Sequence, residues 1–159
     1  MRRLSLAIAG LFILVASSQA QAQTITFNAN LNGGNEPVVV VTGSAGTATV
    51  TWNTVTKTGT YRVDVYNMPV ATTQGHIHVG ALGAGGPVVV NFVIPGVGAI
   101  SNDYGFSGTF GCTDVVPRAP QGINSCEDFE QALLLNNTYA NIHSTANPGG
   151  EIRGQLIRQ

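Results

Sequence analysis

The sequence predicts an all-β fold, an antiparallel Greek-key or immunoglobulin-like β-sandwich with one short helix near residues 126–135. Three observations support this prediction. Many short runs alternate apolar and polar residues, clusters of glycine, proline and asparagine separate these runs, and a single segment has helical spacing. Short alternating strands between turn signals are typical of antiparallel sandwiches and barrels, because each strand buries one face and exposes the other.

Residues 1–22 have the composition of a secretory signal peptide. Two arginines precede an apolar run over residues 4–16, and small residues follow, with Ala20 and Ala22 as candidate cleavage positions. The apolar run is shorter than the roughly 20 residues that a membrane-spanning helix needs. We therefore expect an exported chain, secreted or periplasmic, that keeps no membrane span after cleavage.

Removing 22 of the 159 residues leaves 137, which is a usual size for one domain, so we predict a single domain over residues 23–159. Two of the seven basic residues are removed with this segment, and the remaining five stand against eight acidic residues, giving a net charge of −3. A mildly acidic chain is not expected to bind nucleic acid or an anionic membrane surface. An extracellular or periplasmic protein, or a surface polymer, is the expected class of partner.

Alternation predicts three strands in the first half of the domain. In residues 24–31 the apolar positions are Ile25, Phe27, Ala29 and Leu31. Two further alternating runs, "TATVTWN" and "TYRVDVY", are separated by the glycine-containing segment "TVTKTG", which predicts a hairpin. Threonine is frequent in these runs because a β-branched polar side chain suits the solvated face of a sheet.

The second half contains further strand candidates and one helix. The strand candidates are "GHIHVG", the continuous apolar run "PVVVNFVI", "FSGTFGCTDVVP", and a closing hairpin of "TYANIHST" and "EIRGQLIR" around "ANPGG". In "SCEDFEQALLLNN", Ser125 and Asp128 have the spacing of a capping box, and Phe129, Ala132 and Leu133 follow at helical spacing. This segment is the predicted helix.

Cys112 and Cys126 are the two cysteines of the chain. In an exported protein an even pair of cysteines predicts a disulfide bond rather than a metal site. Closing a loop of this length stabilises a protein by about 3 kcal/mol through the entropy of the unfolded state. We expect the bond to join the helix to the preceding strand.

Three segments in order resemble the chordin-type (CHRD) domain family. They are "FNANLNGGNEPVVVVTGSAGTATVTW", "GHIHVGALGAGGPVVVNF" and "LLLNNTYANIHSTANPGGEIRGQL", and together they extend over nearly the whole predicted domain. The resemblance implies an extracellular or periplasmic β-sandwich module of the kind found as repeats in chordin and as stand-alone bacterial exports. Growth-factor binding is not implied, because in chordin that role is assigned to cysteine-rich modules, which this chain lacks. Two departures from the family pattern are Ser144 and an insertion between Gly111 and Glu127.

All three histidines of the chain, His76, His78 and His143, lie in two of these segments. On a strand, His76 and His78 point to the same side with Cβ atoms about 6.5–7 Å apart, near enough to share one transition metal. If the strand of His143 is a neighbour, a mononuclear copper or zinc site with three imidazole ligands results. The alternative is structural, because a neutral imidazole can also satisfy buried backbone groups of the loops. Sequence leaves both open.

Glu151 and Arg153 share one strand face in "GGEIRGQL". They either orient a metal ligand without touching the metal, or form an ion pair or clamp on the preceding turn. No serine-nucleophile motif or paired-carboxylate spacing accompanies them. We therefore predict a non-enzymatic binding or structural module, with a mononuclear copper- or zinc-binding protein as the alternative.

Overall fold

The computed structural model describes residues 23–159, and the predicted signal peptide at residues 1–22 lies outside the described residues. The strands of the described part are β1 (Thr24–Asn32), β2 (Ala45–Asn53), β3 (Thr58–Met68), β4 (Thr72–Val79), β5 (Val88–Asn91), β6 (Asn102–Gly111), β7 (Thr138–Ser144), β8 (Ile152–Gln155) and β9 (Ile157–Arg158). The α-helix, α1, extends over Cys126–Leu134. The prediction of an all-β fold with one short helix is confirmed.

The strands pair antiparallel in the order β5-β4-β7-β8-β1-β2-β3-β6, and β9 pairs with β1. This pairing follows one continuous sheet and does not divide into the two separate sheets of the predicted sandwich. The connection between its two halves is narrow, however. Strand β1 meets β8 through the pair Asn32 and Arg153, and meets β9 through Phe27 and Asn28.

The sheet curls into a nearly closed barrel, which brings its two edge regions together. The ring centroid of Phe92, just after β5, lies 4.6 Å from that of Tyr61 on β3 and 5.8 Å from that of Phe106 on β6. The amide of Val116, beyond β6, donates a hydrogen bond of 2.9 Å to the carbonyl of Val89 on β5. A single apolar core therefore fills the interior between the two halves.

Alternation along β1, β2 and β3 places every second side chain in this core, as the sequence predicts. Trp52 is fully buried, and its ring lies 5.5 Å from those of both Phe110 and Phe129. Burying a large apolar side chain contributes about 1.5–3 kcal/mol, so these aromatic residues are major contributors to folding. They also hold α1 against the barrel, because Phe129 belongs to that helix.

The capping box and the disulfide bond at α1 are both present. The backbone N–H of Asp128 donates to the Ser125 side chain, and the Asp128 carboxylate accepts from the N–H of Ser125. Cys112 and Cys126 are joined with Cα atoms 5.2 Å apart, which ties the first turn of α1 to the end of β6. The predicted disulfide bond is confirmed.

The continuous apolar run at residues 87–94 forms a shorter strand than the sequence predicts. Only Val88–Asn91 forms a strand, β5, and the Val93 side chain is 75% exposed. An apolar run cannot by itself distinguish a buried strand from a strand that leaves the sheet.

In the part of the chain that the structure describes, no helix has the length and apolar character needed to cross a membrane.

Candidate metal centre

The histidines of β4 point away from the apolar core. Ile77 between them is fully buried in that core, so the alternation of the strand directs His76 and His78 to the outer face of the barrel. Strand β7 pairs with β4 in a register that sets Asn141 opposite His76 and Tyr139 opposite His78. His143 lies on the same outer face of β7, two residues beyond Asn141.

This outer face is nevertheless buried. The exposed fractions of His76, His78 and His143 are 8%, 8% and 6%. Three loops, residues 33–44, 80–87 and 145–150, lie over it and supply the contacts described below. The polar side chains of β4, β7 and β8, together with the buried Glu36 of the first loop and Glu151 just before β8, therefore form a layer between the barrel and these loops, which we call the polar layer.

The three imidazoles converge, although they come from two different strands. One ring nitrogen from each of His76, His78 and His143 lies within 4.8 Å of the others. Nδ1 of His76 lies 3.1 Å from Nε2 of His143. Metal–nitrogen bonds are about 2.1 Å long, so three nitrogens at these separations can reach one ion once the rings adjust.

Two backbone carbonyls fix the tautomers of two histidines. Nδ1 of His78 lies 2.8 Å from the carbonyl oxygen of Gly86, and Nδ1 of His143 lies 2.9 Å from that of Pro148. A carbonyl oxygen accepts only, so each Nδ1 carries the proton and each Nε2 keeps a lone pair. This is the usual orientation of histidines that bind metals through Nε2.

The lone pairs of these two histidines have different partners. Nε2 of His143 accepts a hydrogen bond from Nδ1–H of His76. Nε2 of His78 is buried and has no hydrogen-bond partner within residues 23–159. An unsatisfied buried acceptor is costly, and most such atoms in folded proteins have a partner.

Burial also keeps the imidazoles neutral. Burial, together with the smaller effect of the neighbouring His143 and His78, lowers the pKa of His76 to about 4. Burial also lowers the pKa of His78 to about 4, although its hydrogen bond to the Gly86 carbonyl opposes this effect. For the same reason the pKa of His143 lies below its usual value, although its hydrogen bond to the Pro148 carbonyl raises it. The histidines therefore present unprotonated nitrogens at neutral pH, which is the form that binds a metal.

Tyr139 separates His78 from Arg153. Its ring stacks on His78 with centroids 4.8 Å apart and planes inclined by 7°, and the guanidinium carbon of Arg153 lies 3.5 Å from the Tyr139 centroid. The two groups cannot share one face of the ring without overlapping, so Arg153 lies on the face opposite His78. Its Nη2 also donates to the carbonyl of Ala84 at 2.7 Å.

Glu151 and Arg153 both lie in the polar layer but have different partners. No salt bridge joins them among the described residues. The Glu151 carboxylate accepts a hydrogen bond of 2.7 Å from the Ser144 hydroxyl and another from the Asn147 amide, so it clamps the turn after β7. Burial alone would raise the pKa of Glu151, but hydrogen bonds from these and neighbouring side chains lower it below its usual value.

The model of the CHRD domain family matches residues 27–156, which is most of the chain. The chain belongs to the CHRD domain family. Neither the curated proteins nor the solved structures contain a match. The family assignment confirms the resemblance of the three sequence segments, and the matched range includes the whole polar layer.

The CHRD domain also contains site residues that the sequence did not reveal. Glu36 is buried, accepts a hydrogen bond of 2.8 Å from the Asn141 amide, and has a pKa raised by burial. Asn141 and Tyr139 could have been found, because they alternate with His143 along β7. Glu36 could not, since it lies in an irregular loop whose contacts depend on the complete fold.

Proposed function

We propose that this CHRD domain is a non-enzymatic binding module whose ligand is a copper or zinc ion held by His76, His78 and His143. The observation that carries the proposal is Nε2 of His78, a buried lone pair without a partner among residues 23–159, on an imidazole that contributes one nitrogen to the group of three convergent histidines. A metal ion would satisfy this atom.

Metal binding needs one local change. Nε2 of His143 now accepts a hydrogen bond from Nδ1–H of His76, so His76 has to change tautomer or turn its ring before it can offer a lone pair at this position. His78 and His143 need no such change, because Gly86 and Pro148 already hold their Nδ1 protons. The protein therefore supplies two fixed ligands and one adjustable ligand.

The absence of enzymatic activity is part of the proposal. Among the described residues, the group of convergent donor atoms contains three imidazoles and no carboxylate that could serve as a general base. Export is part of it as well, since the Cys112–Cys126 disulfide bond suits the oxidising conditions of a periplasm or the cell exterior. An extracellular protein or surface polymer would be an additional partner of the same module.

The structural alternative has its own supporting observation. His78 and His143 each connect a strand to a loop carbonyl, so the cluster could serve only to hold the loops in place. In that case the histidine variants lose stability to the same extent with and without metal. The two functions therefore differ in their response to added metal.

Calorimetric titration of the purified, chelator-treated protein at pH 7.5 with Zn²⁺, with Cu²⁺ and, under anaerobic conditions, with Cu⁺ tests the proposal. We expect one ion per chain with a Kd below about 1 µM for at least one of the three ions. His78→Ala and His143→Ala should weaken this binding at least ~100-fold, because each removes one of three ligands. Ser107→Ala, on the exposed face of β6, is the control and should bind like the parent protein. Absence of binding, or equal binding by the histidine variants, would contradict the proposal.

A further inference from the structure

We infer that the three-histidine cluster selects copper as the monovalent cuprous ion, Cu⁺, over Cu²⁺ and Zn²⁺. The inference rests on the proposed metal binding and narrows its ligand to one ion. Three features of the polar layer support it: neutral donor atoms, nearby positive charge, and the number of ligands.

The donor atoms carry no negative charge. Within residues 23–159 the convergent group consists of His76, His78 and His143, without a carboxylate oxygen or a thiolate. Both cysteines are joined in the disulfide bond. A divalent ion bound to three neutral ligands keeps its full charge of +2 in a buried site, whereas Cu⁺ keeps a charge of +1. The free energy needed to bury an ion rises steeply with the magnitude of its charge.

The buried carboxylates of the polar layer have partners other than the histidines. Glu151 is occupied by Ser144 and Asn147, and Glu36 is occupied by Asn141. Burial raises the pKa of Glu36, so this carboxyl group holds its negative charge less readily than one in water. Neither carboxylate joins the convergent donors.

The charged side chains acting on His78 are instead cationic. Arg153 stacks on the other face of Tyr139, and Arg118 donates from Nε to the carbonyl of Val88 at 2.7 Å, on the strand next to His78. Both positive charges lower the pKa of His78. The same charges repel a divalent ion about twice as strongly as a monovalent one.

The number of ligands favours the same ion. Zinc binds four ligands in a tetrahedron, and Cu²⁺ prefers a tetragonal set of nitrogen and oxygen ligands. Three imidazoles complete the trigonal arrangement that suits Cu⁺, so no further ligand is required. For Zn²⁺ or Cu²⁺ a water or an anion would have to enter beneath the loops at residues 33–44, 80–87 and 145–150.

Competition titrations of the metal-free protein test the inference. Cu⁺ is supplied anaerobically with excess ascorbate against the chromophoric chelator bicinchoninate, while Cu²⁺ and Zn²⁺ are each titrated against a chelator of known affinity. We expect a Kd for Cu⁺ at least ~100-fold below those for Cu²⁺ and Zn²⁺. Tighter or equal binding of either divalent ion would overturn the inference and leave the proposed function standing. Failure of all three ions to bind would overturn both.

Arg118→Gln tests the contribution of positive charge without removing a ligand. We expect it to lower the Cu⁺ to Cu²⁺ affinity ratio by about 3-fold or more, since a partly buried charge at close range is weakly screened. The control is Lys57→Gln, which removes a cation that pairs with Glu130 beside Trp52, and the ratio should stay unchanged. An unchanged ratio in Arg118→Gln, or equal changes in both variants, would contradict the charge argument.

Discussion

The two halves of the sheet use their outer faces in opposite ways. On β1, β2 and β3 the outward side chains are threonine, asparagine and other polar residues in contact with solvent, and burial alternates along each strand. On β7 every residue from Thr138 to Ser144 is buried, although the outward ones are polar. The same alternation of sequence thus produces a solvated face in one half and the polar layer in the other. The difference comes from the loops that cover β4, β7 and β8.

The buried polar side chains of the polar layer differ in whether their hydrogen bonds are made. The Glu151 carboxylate has its hydrogen bonds and stabilises the fold. Nε2 of His78 has none among residues 23–159, and we propose a ligand for it because its imidazole belongs to the convergent group, unlike Thr138, Asn141 and Gln155, whose side chains also hold an unpartnered buried oxygen. Three predictions compare the two halves directly.

Acidification should have the largest effect, and it should act through the polar layer. The pKa of His76 and of His78 is about 4 in the folded protein and 6.5 when unfolded, so between these values the unfolded chain binds more protons. The free energy of unfolding of the metal-free protein should therefore be constant above pH 6.5 and fall by about 1.4 kcal/mol per pH unit for each histidine as pH decreases toward 4.

Urea unfolding in the presence of a chelator, at several pH values, measures this dependence. Glu36 acts in the opposite direction, because its raised pKa stabilises the fold at low pH, whereas the lowered pKa of His143 and that of Glu151 add to the loss of stability on acidification. His76→Gln combined with His78→Gln should abolish most of the slope. A slope that persists in this double variant would assign the pH dependence to other groups.

Removing a carboxylate charge should have the second largest effect, and the loss of stability should differ between the two outer faces. Glu151→Gln loses charge-assisted hydrogen bonds from Ser144 and Asn147 and should lower the free energy of unfolding by about 1–3 kcal/mol. Asp64→Asn removes an equivalent charge from the solvated face, where Asp64 pairs with Arg62, and should cost less than about 1 kcal/mol. Urea unfolding at pH 7 measures both losses of unfolding free energy. Similar losses would mean that a carboxylate covered by the loops contributes no more to stability than one on the solvated face.

Exchanging a tyrosine should give the smallest of the three differences. Tyr139→Leu removes the stack with His78 and the contact with Arg153 and should cost about 1–2 kcal/mol. Tyr66→Leu is the matched change on the outer face of β3, where the side chain is 46% exposed, and should stay within about 0.5 kcal/mol. Thermal unfolding ranks the two variants. A larger loss from Tyr66→Leu would reverse the comparison.

The local features of this fold could be predicted from the sequence because they depend on neighbouring residues. Period-two alternation located the strands and set His76 and His78 on one face, and the capping box located α1. The joining of the two halves into one sheet could not be predicted, because it depends on contacts such as that of Asn32 with Arg153, which are distant in sequence. The burial of the polar layer was missed for the same reason. Gly86, Pro148 and Glu36 reach the site from irregular loops that show no periodic pattern.

Arg153 takes part in two structures at once, since its backbone pairs with Asn32 where β8 meets β1 and its guanidinium stacks on Tyr139 beside His78. The side-chain amide of Asn35 donates to its carbonyl at 2.9 Å and strengthens the same junction. Movement of Tyr139 would therefore reach the seam between the halves of the barrel through Arg153. If an ion binds at the imidazoles as proposed, amide hydrogen exchange along β1 and β8 should change with occupancy of the site, although the ion itself would lie on β4 and β7.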